Sequence, residues 1–381
     1  MKTLYLHIGT MKTGTCAIQE LCTSNQEILN RQGYCYPKLP YSFPGFGKKR
    51  NALFLQRPIV KGGVRQTDAE RERFLEGMGI IREHFKTYDN VILSDEGVWG
   101  GACKNRKTLW QELKEYSDEH QFSVKIIVYL RRQDLYIDSL WRQGVKGSTN
   151  RRSKVAVSWQ EYVKNIPIIE QLDYYGELNR ISSALGKENV IVRRFDRKKF
   201  SDGMIQSDFL ELIGLKLTDE YYIKKQSVNE SMSGNICEIK RVINLLPGIT
   251  DSEYVFLRKN LLDINSVSGS EYKSNMFSAQ ETEAFMETYR QDNRKIAEEY
   301  LNEKDTDLFD MDFSSICKWE KDNPYLLDDI IRFATVTNVN ILRKMEKENA
   351  ALRQELDGLK SKLRHPFRTF IRIVLKKLNI R

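Results

Sequence analysis

Short apolar segments alternate with amphipathic segments along the first 215 residues of the chain. Apolar runs at 3–8, 90–94, 123–130 and 189–195 predict strands, and the stretches between them carry apolar residues at helical spacing. Strands that are separated by helices pair in parallel through crossover connections, so this pattern predicts an α/β fold with a parallel sheet flanked by helices. Residues 36–64, rich in proline, glycine and aromatic residues, predict a long ordered loop without helix or strand.

The C-terminal part of the chain is helical in pattern and ends in a heptad repeat. Apolar residues and Asn349 recur at alternating spacings of three and four from residue 342 to residue 363, which predicts a coiled coil over residues 336–365. A homodimer would form through residues 339–365, with Asn349 at an a position; a helix packed on its own domain is the alternative. Pro366 ends the repeat, and residues 366–381 predict a basic amphipathic helix.

Composition excludes several classes of protein. The 381 residues are 40% hydrophobic and 30% charged, and no apolar run is long enough for a spanning helix or a secretory signal. The six cysteines form no C-x-x-C pair and the four histidines are scattered, so neither a disulfide scaffold nor a Cys/His zinc module is expected. A reducing cytoplasm fits this cysteine usage.

The net charge of +9 is concentrated in the tail. Residues 339–381 contain 12 basic and 4 acidic residues, so the rest of the chain is nearly balanced. A balanced body argues against nucleic-acid binding, and a basic tail favours contact with an anionic membrane surface through residues 366–381. We therefore expect a cytoplasmic protein that is peripheral on the inner face of the membrane.

A phosphate-binding loop is predicted where the first strand meets the first helix. Residues 9–16 read GTMKTGTC, in which glycines permit a tight turn and the following helix N-terminus attracts an anion. Lys12 supplies a charge, while Thr13, Thr15 and Cys16 supply side-chain donors. The lysine precedes Gly14, whereas a nucleoside-triphosphate loop has its lysine after the second glycine. The alternative is an ordinary strand-turn-helix that carries one lysine.

A second set of polar residues follows the third predicted strand. Arg131 comes directly after that strand, and Ser139 lies eight residues later on a predicted helix. Open α/β sheets bind ligands at the carboxyl ends of their strands, so these side chains could converge on the same phosphate. Alone, the pair would indicate only a solvated charge and a helix serine.

Together, the two motifs resemble those of sulfotransferases that use 3′-phosphoadenosine 5′-phosphosulfate (PAPS). The segment HIGTMKTGTCAIQ resembles the family's 5′-phosphosulfate loop, with Cys16 in place of a usual threonine, and VYLRRQDLYIDSLWRQ resembles its 3′-phosphate motif. The resemblance covers about residues 1–310. It implies a P-loop-like fold and PAPS as co-substrate without a metal ion. Residues 12–16, Arg131, Ser139 and Asn229 would then bind PAPS.

The same resemblance gives the chemistry a set of candidate residues. Lys12 would stabilise the charge that grows on the leaving phosphate oxygen. Glu96 follows the second strand, faces the same crevice, and would act as the general base, as a glutamate does in several carbohydrate sulfotransferases; the alternative is that Asp95 or Glu96 caps the next helix. His7 is a further catalytic candidate, although a packed histidine is the commoner role.

These features predict transfer of a sulfonate group from PAPS to a hydroxyl of a glycan, such as a polysaccharide, a capsule or a lipid-linked saccharide. The loop at 36–64 carries Lys48, Lys49 and Arg50 beside aromatic residues. These side chains could bind an anionic glycan, or the loop could equally be a solvated lid. The alternatives are a nucleotide-dependent kinase and a non-catalytic scaffold tethered to a membrane. The expected organisation is a sulfotransferase domain at 1–335, with an α/β core to about residue 215 and a helical part at 216–335. The coiled coil and the basic helix follow it.

Overall fold

A five-stranded parallel sheet forms the centre of the protein, as the computed structural model shows. The structure describes residues 2–43, 47, 49–104, 106, 108–147, 155–224, 231–364 and 370. Its strands, in chain order, are β1 Thr3–His7, β2 Tyr34–Cys35, β3 Val60–Lys61, β4 Val64–Arg65, β5 Asn90–Ser94, β6 Ser123–Leu130 and β7 Val190–Arg194. The sheet has the order β2–β5–β1–β6–β7, and β3 pairs with β4 in a separate hairpin.

Helices cover both faces of the sheet and form the C-terminal part of the chain. The α-helices are α1 Thr15–Ser24, α2 Gln26–Arg31, α3 Thr67–His84, α4 Gly97–Lys104, α5 Leu109–Glu119, α6 Gln133–Lys146, α7 Trp159–Lys164, α8 Tyr174–Leu185, α9 Ile205–Leu212, α10 Gly234–Leu245, α11 Asp251–Glu271, α12 Ala279–Leu301 and α13 Tyr325–Arg364. Ser158, Thr250 and Ser278 each form a capping box, which satisfies free backbone N–H groups at the starts of α7, α11 and α12.

Strand β1 lies at the centre of the sheet and is buried on both faces. Leu4 and Leu6 belong to one hydrophobic cluster, whereas Tyr5 belongs to the cluster on the opposite face. Burial on both faces explains why the strands read as continuous apolar runs. In the parallel register, His7 lies beside Ser94 of β5 and Ile127 of β6. The carboxyl ends of these strands therefore meet at one edge of the sheet.

The predicted α/β fold with a parallel sheet flanked by helices is confirmed, but two details of the prediction were incomplete. Strand β2 pairs only two residues with β5, which is too short to leave a pattern in the sequence. The prediction that residues 36–64 form a loop without helix or strand was wrong. They contain a 3₁₀ turn at Leu53–Leu55 and the start of the β3–β4 hairpin, which turns at Gly62 and Gly63 with φ of 57° and 79°.

Helix α13 is anchored to α10 and α11 through buried polar contacts. Asp329 is fully buried and accepts hydrogen bonds from Asn235 Nδ2 at 2.9 Å and Ser268 Oγ at 2.7 Å. The helix begins at Tyr325, upstream of the predicted coiled coil, and runs to Arg364 without a break. The coiled coil needs a partner helix and stays a prediction.

The described helices include none that is both long enough and apolar enough to cross a membrane. Apart from residue 370, the predicted amphipathic helix at 366–381 lies outside the described residues.

Candidate active site

The predicted phosphate loop connects the carboxyl end of β1 to the N-terminus of α1. Its backbone takes positive φ values at Gly9 and Gly14, of 28° and 72°. A Cβ atom at Gly14 would lie 2.7 Å from Ile205 Cδ1 and 3.2 Å from Phe195 Cε2, so close packing as well as φ requires glycine there. The loop is thus held against α9 and the end of β7, with the positive end of the α1 dipole directed at its interior.

Polar atoms converge on Gly9 from inside this loop. His7 Nε2, Thr13 Oγ1 and Thr15 Oγ1 each lie 3.2 Å from the point that a Cβ atom of Gly9 would occupy. The Thr13 hydroxyl donates to the Thr10 carbonyl at 2.5 Å, but His7 Nε2 and Thr15 Oγ1 are buried without a hydrogen-bond partner among the residues that the structure describes. Because buried polar groups are nearly always paired, these two atoms are the groups that a bound anion would satisfy.

Arg131 joins the second motif to the first. Its Nη1 atom donates a 2.9 Å hydrogen bond to the Lys12 carbonyl, and its guanidinium lies 5.9 Å from the centre of the Phe195 ring. Among the described residues, the Nε atom of Arg131 is buried and has no hydrogen-bond partner. Within this part of the chain, His7 Nε2, Thr15 Oγ1 and Arg131 Nε are therefore three unpartnered polar atoms near this end of the sheet.

Lys12 has a strained backbone and a crowded electrostatic environment. Its φ of 69° lies in the left-handed region, which side chains other than glycine rarely adopt. Partial burial, followed by the nearby Arg131 guanidinium, lowers the pKa of Lys12, while Cys16 and Glu96 act in the opposite direction. Lys12 and Arg131 are two cations close enough for Arg131 to lower the pKa of Lys12, an arrangement that a bound anion would stabilise.

Ser139 and Lys146 lie along α6, which leads away from Arg131. Ser139 is buried, and within the described residues it makes no hydrogen bond with Arg131. Lys146 lies seven residues after Ser139 and therefore on the same helix face. Burial, followed by the charges of Arg258 and Lys12, lowers the pKa of Lys146.

The second predicted strand ends in a cluster of two carboxylates and an arginine. Arg50 donates to both oxygens of Asp95, from Nε at 2.6 Å and from Nη2 at 2.9 Å, and its Nη1 lies 3.4 Å from Glu96 Oε1. Asp95 Oδ1 also accepts from the Gly97 N–H at 2.7 Å, so Asp95 takes the capping role that was the alternative for this pair. Burial outweighs Arg50 and raises the pKa of Asp95 to about 6.

A chain of hydrogen bonds connects Glu96 to the phosphate loop. Gln19 Nε2 donates to Glu96 Oε2 at 3.2 Å and to Ser94 Oγ at 3.5 Å, and Ser94 Oγ lies 2.9 Å from His7 Nδ1. Burial lowers the pKa of His7 to about 3, so the ring is neutral, and its Nε2 atom faces Gly9 of the loop. In the tautomer in which Nδ1 accepts from the Ser94 hydroxyl, Nε2–H would be a donor to an anion in the loop.

Other predicted residues have different placements. Cys16 has an exposed side chain on the first turn of α1. The surrounding loop still removes part of the water from its thiol, and this partial desolvation, followed by the nearby Glu96, raises the thiol pKa. Lys49 forms an ion pair with Glu20, and Arg50 is directed inward to Asp95, so neither presents its charge as the sequence suggested. Asn229 and Lys48 lie outside the described residues.

A small open cleft, with a cavity volume of about 30 Å³, adjoins the Arg50 side of the site. Its walls include Tyr41, Phe43 and Phe54, together with Arg50 and Asn51. Asn51 accepts from the Ser94 N–H at 2.8 Å and so ties the cleft to the end of β5. Aromatic faces beside a few polar groups are typical of binding sites for small organic groups. Within the described part of the chain, no cluster of three potential metal ligands occurs.

Comparison with known proteins gives limited similarity. No family model matches the chain. An uncharacterised protein of Archaeoglobus fulgidus is 32% identical over 182 residues, and the chain spans about half that relative's length, 46%. The crystal structure of a sulfotransferase from Alicyclobacillus acidocaldarius aligns with 64% of this chain and 94% of its own, at 16% identity and a TM-score of 0.36. At that TM-score the structural similarity decides neither activity nor substrate. A proposal about either must therefore be argued from the site residues.

Proposed function

We propose that this protein transfers a sulfonate group from PAPS to a hydroxyl of a glycan. The observation that supports the proposal best is the pairing of Arg131 with the Lys12 carbonyl beside three unpartnered polar atoms. A mononucleotide with phosphates at both its 5′ and 3′ positions would match this arrangement: the loop at residues 9–16 would take the 5′ end, and Arg131 with Ser139 the 3′-phosphate. The resemblance of both motifs to those of PAPS-dependent enzymes supports the same ligand.

The reaction needs one bond to form and one to break. The acceptor oxygen attacks sulfur, the bond between sulfur and the 5′-phosphate oxygen breaks, and that oxygen keeps the electron pair. Adenosine 3′,5′-bisphosphate leaves, and the acceptor gives up its proton. The Lys12 ammonium would stabilise the charge that grows on the leaving oxygen, with help from the Thr15 hydroxyl and from His7 Nε2–H.

Glu96 is our candidate for the base that takes the acceptor proton. Gln19 and Arg50 each contact one of its oxygens, which restricts the carboxylate to one orientation at the edge of the crevice. His7 is fully buried with its Nε2 atom directed toward Gly9 of the loop, and this position suits a donor to the bound anion better than a base for the acceptor. We therefore assign proton transfer to Glu96 and anion contact to His7.

The cleft beside Arg50 is our candidate for the acceptor site. Its aromatic walls suit the apolar face of a sugar ring, and Arg50, which lines the cleft, also contacts Glu96. A glycan that is attached to a lipid carrier or held at a surface would fit an enzyme whose basic tail binds the membrane, which is a proposal based on sequence alone. A saccharide acceptor is therefore the first class to test.

Transfer of labelled sulfonate from PAPS to a panel of acceptors tests this function. The panel should include polysaccharides, lipid-linked saccharides, phenols and aliphatic alcohols, and it should be run in the absence of added metal. We expect label on a saccharide hydroxyl, with transfer strongly reduced in Lys12→Ala. Label on phenols or simple alcohols alone would contradict the glycan assignment, and no transfer to any acceptor by a chain that binds PAPS would favour a non-catalytic scaffold.

A further inference from the structure

The two halves of α13 have different surroundings. The first half packs on the protein body, where Asn260 Nδ2 donates to Thr337 Oγ1 at 3.2 Å and Asn340 Nδ2 donates to Asn260 Oδ1 at 2.9 Å. From residue 341 to residue 364, every residue whose burial is described is exposed. The helix therefore continues into solvent beyond its last hydrogen bond to the body, which excludes packing of this half on its own domain within the described residues.

The projecting half carries a continuous apolar seam. Its members are between 50% and 79% exposed and are Leu342, Met345, Leu352, Leu356, Leu359 and Leu363. With Asn349 they follow the alternating spacing of three and four that keeps one stripe facing a partner helix when two helices supercoil. A long helix that leaves such a stripe in water gains nothing from it, because most helical stability in proteins comes from burial of the apolar face.

We propose that this seam binds a second copy of the same chain in a parallel coiled coil. With Leu342 at position a, Glu348 and Glu355 occupy g positions, and Arg353 and Lys360 occupy e positions. In a parallel pair, each g residue lies beside the e residue of the next heptad in the partner helix. Glu348 then faces Arg353 of the other copy and Glu355 faces Lys360. Opposite charges therefore meet along both sides of the seam when two copies of the chain pair.

Asn349 determines the direction of the pairing. In a parallel coil, each a residue faces the same a residue of the other copy, so the two amides can hydrogen-bond to each other. In an antiparallel coil, a residues face d residues, and Asn349 would be buried against leucine or methionine without a partner. The parallel arrangement also places both protein bodies, each with its candidate active site, at the same end of the coil. This inference does not depend on the reaction proposed above.

The mass of the full chain in solution tests the dimer. Light scattering after size exclusion should give twice the chain mass of 44.7 kDa at micromolar concentration. Leu356→Asp places a charge in the seam and should give the monomer mass, whereas Ala351→Asp, on the exposed outer face of the same helix, should leave the dimer intact. Because both sites are exposed in the single chain, circular dichroism should show that both variants fold. A monomer for the unaltered chain, or equal loss of the dimer in both variants, would overturn the proposal.

A cysteine cross-link tests the direction. In Leu342→Cys, mild oxidation should give a disulfide-linked dimer, because position a near the start of a parallel coil meets its own copy. The unaltered chain, which has exposed cysteines at 16 and 317, is the background control. An antiparallel coil would separate the two 342 positions by the length of the seam, so a dimer by mass without cross-linking above background would contradict the parallel arrangement.

Discussion

The Nη1 atom of Arg131 donates a 2.9 Å hydrogen bond to the carbonyl oxygen of Lys12. This bond joins the loop after β1 to the residue after β6, two segments that are adjacent in the sheet but far apart in the chain. It also fixes the direction of the arginine, whose Nε atom is buried and has no hydrogen-bond partner in the described part of the chain. Arg131 therefore holds the loop proposed for the 5′ end of the ligand and keeps its Nε–H as a donor for the proposed 3′-phosphate. Binding at one of these positions can thus affect binding at the other.

The 3′-phosphate assignment predicts a loss of affinity in Ser139→Ala. If the hydroxyl donates to a phosphate oxygen, the loss should be about 1.5–3 kcal/mol of binding free energy, typical of hydrogen bonds to charged groups. Calorimetry with adenosine 3′,5′-bisphosphate measures this loss. The affinity for adenosine 5′-phosphate, which has no 3′-phosphate, should change little in the same variant. Ser117→Ala, another buried serine on a helix, is the matched control. Equal losses for both nucleotides would argue against a 3′-phosphate contact.

Lys12 should matter more for turnover than for binding. Lys12→Ala removes a charge that meets growing negative charge in the transition state, so we expect kcat to fall by about 10²–10³-fold. Affinity for adenosine 3′,5′-bisphosphate should fall less, because that ligand tests the ground state alone. Steady-state kinetics and calorimetry on the same preparation separate the two. A drop in affinity as large as the drop in kcat would make Lys12 a binding residue only.

The base assignment predicts that Glu96→Gln lowers kcat by about 10²–10⁴-fold, the usual contribution of general acid–base catalysis. Affinity for the bisphosphate should hardly change, since Glu96 contacts Gln19 and Arg50 and lies outside the phosphate loop. Glu20→Gln, which alters a carboxylate on α1 that pairs with Lys49, is the control. Wild-type turnover in Glu96→Gln would place the base elsewhere.

His7 should make stability depend on pH. Its pKa is about 3 in the folded protein, against an ordinary value of 6.5, so below pH 6.5 the unfolded chain binds a proton that the native protein does not. Stability then falls as pH is lowered, by about 2 kcal/mol between pH 7 and pH 5 from this group. Urea unfolding at the two pH values should show that His7→Gln removes this part of the dependence. The control His120→Gln, at a half-exposed histidine, should keep it; the same pH dependence in His7→Gln and the unaltered protein would contradict the buried neutral ring.

The basic tail should bind anionic vesicles. Residues 366–381 carry basic residues and no acidic residue, and a basic residue near such a surface contributes about 1 kcal/mol. In flotation with vesicles that contain phosphatidylserine, we expect the full chain to float and the double variant Lys376→Glu with Lys377→Glu to float less. If the dimer joins two weak anchors, Leu356→Asp should also float less. Absence of flotation for the unaltered chain would end the membrane proposal.

Much of the fold could be predicted because it depends on local pattern. Strands buried on both faces are continuous apolar runs, and the glycines of the phosphate loop are required by the backbone turn itself. Strand β2 escaped prediction because two residues carry no periodicity, and its pairing with β5 is decided by the sheet. The Gly62–Gly63 turn was visible in the sequence and should have indicated the hairpin.

Less of the candidate site could be predicted from the sequence, because its hydrogen-bonded and ion-paired residues are far apart in the chain and meet only in the folded protein. Nothing in the sequence pairs Arg50 with Asp95, 45 positions away, so Arg50 was taken for a surface charge. Gln19 and Ser94 bridge His7 and Glu96 only because α1 passes over the end of β5. Lys12 and Arg131 could be predicted as neighbours, since strand ends in a parallel sheet share one edge.

A comparison of the affinities for two nucleotides tests the central claim most directly. Calorimetric titration of the full chain with adenosine 3′,5′-bisphosphate and with ATP, each with and without Mg²⁺, compares a ligand with phosphates at both ends with one that carries a triphosphate at one end. We predict that the bisphosphate binds without Mg²⁺, at least about tenfold more tightly than ATP, the ratio expected from one additional charged hydrogen bond. Equal or tighter binding of ATP, or a requirement for Mg²⁺, would contradict a PAPS site and favour a kinase-like nucleotide site instead.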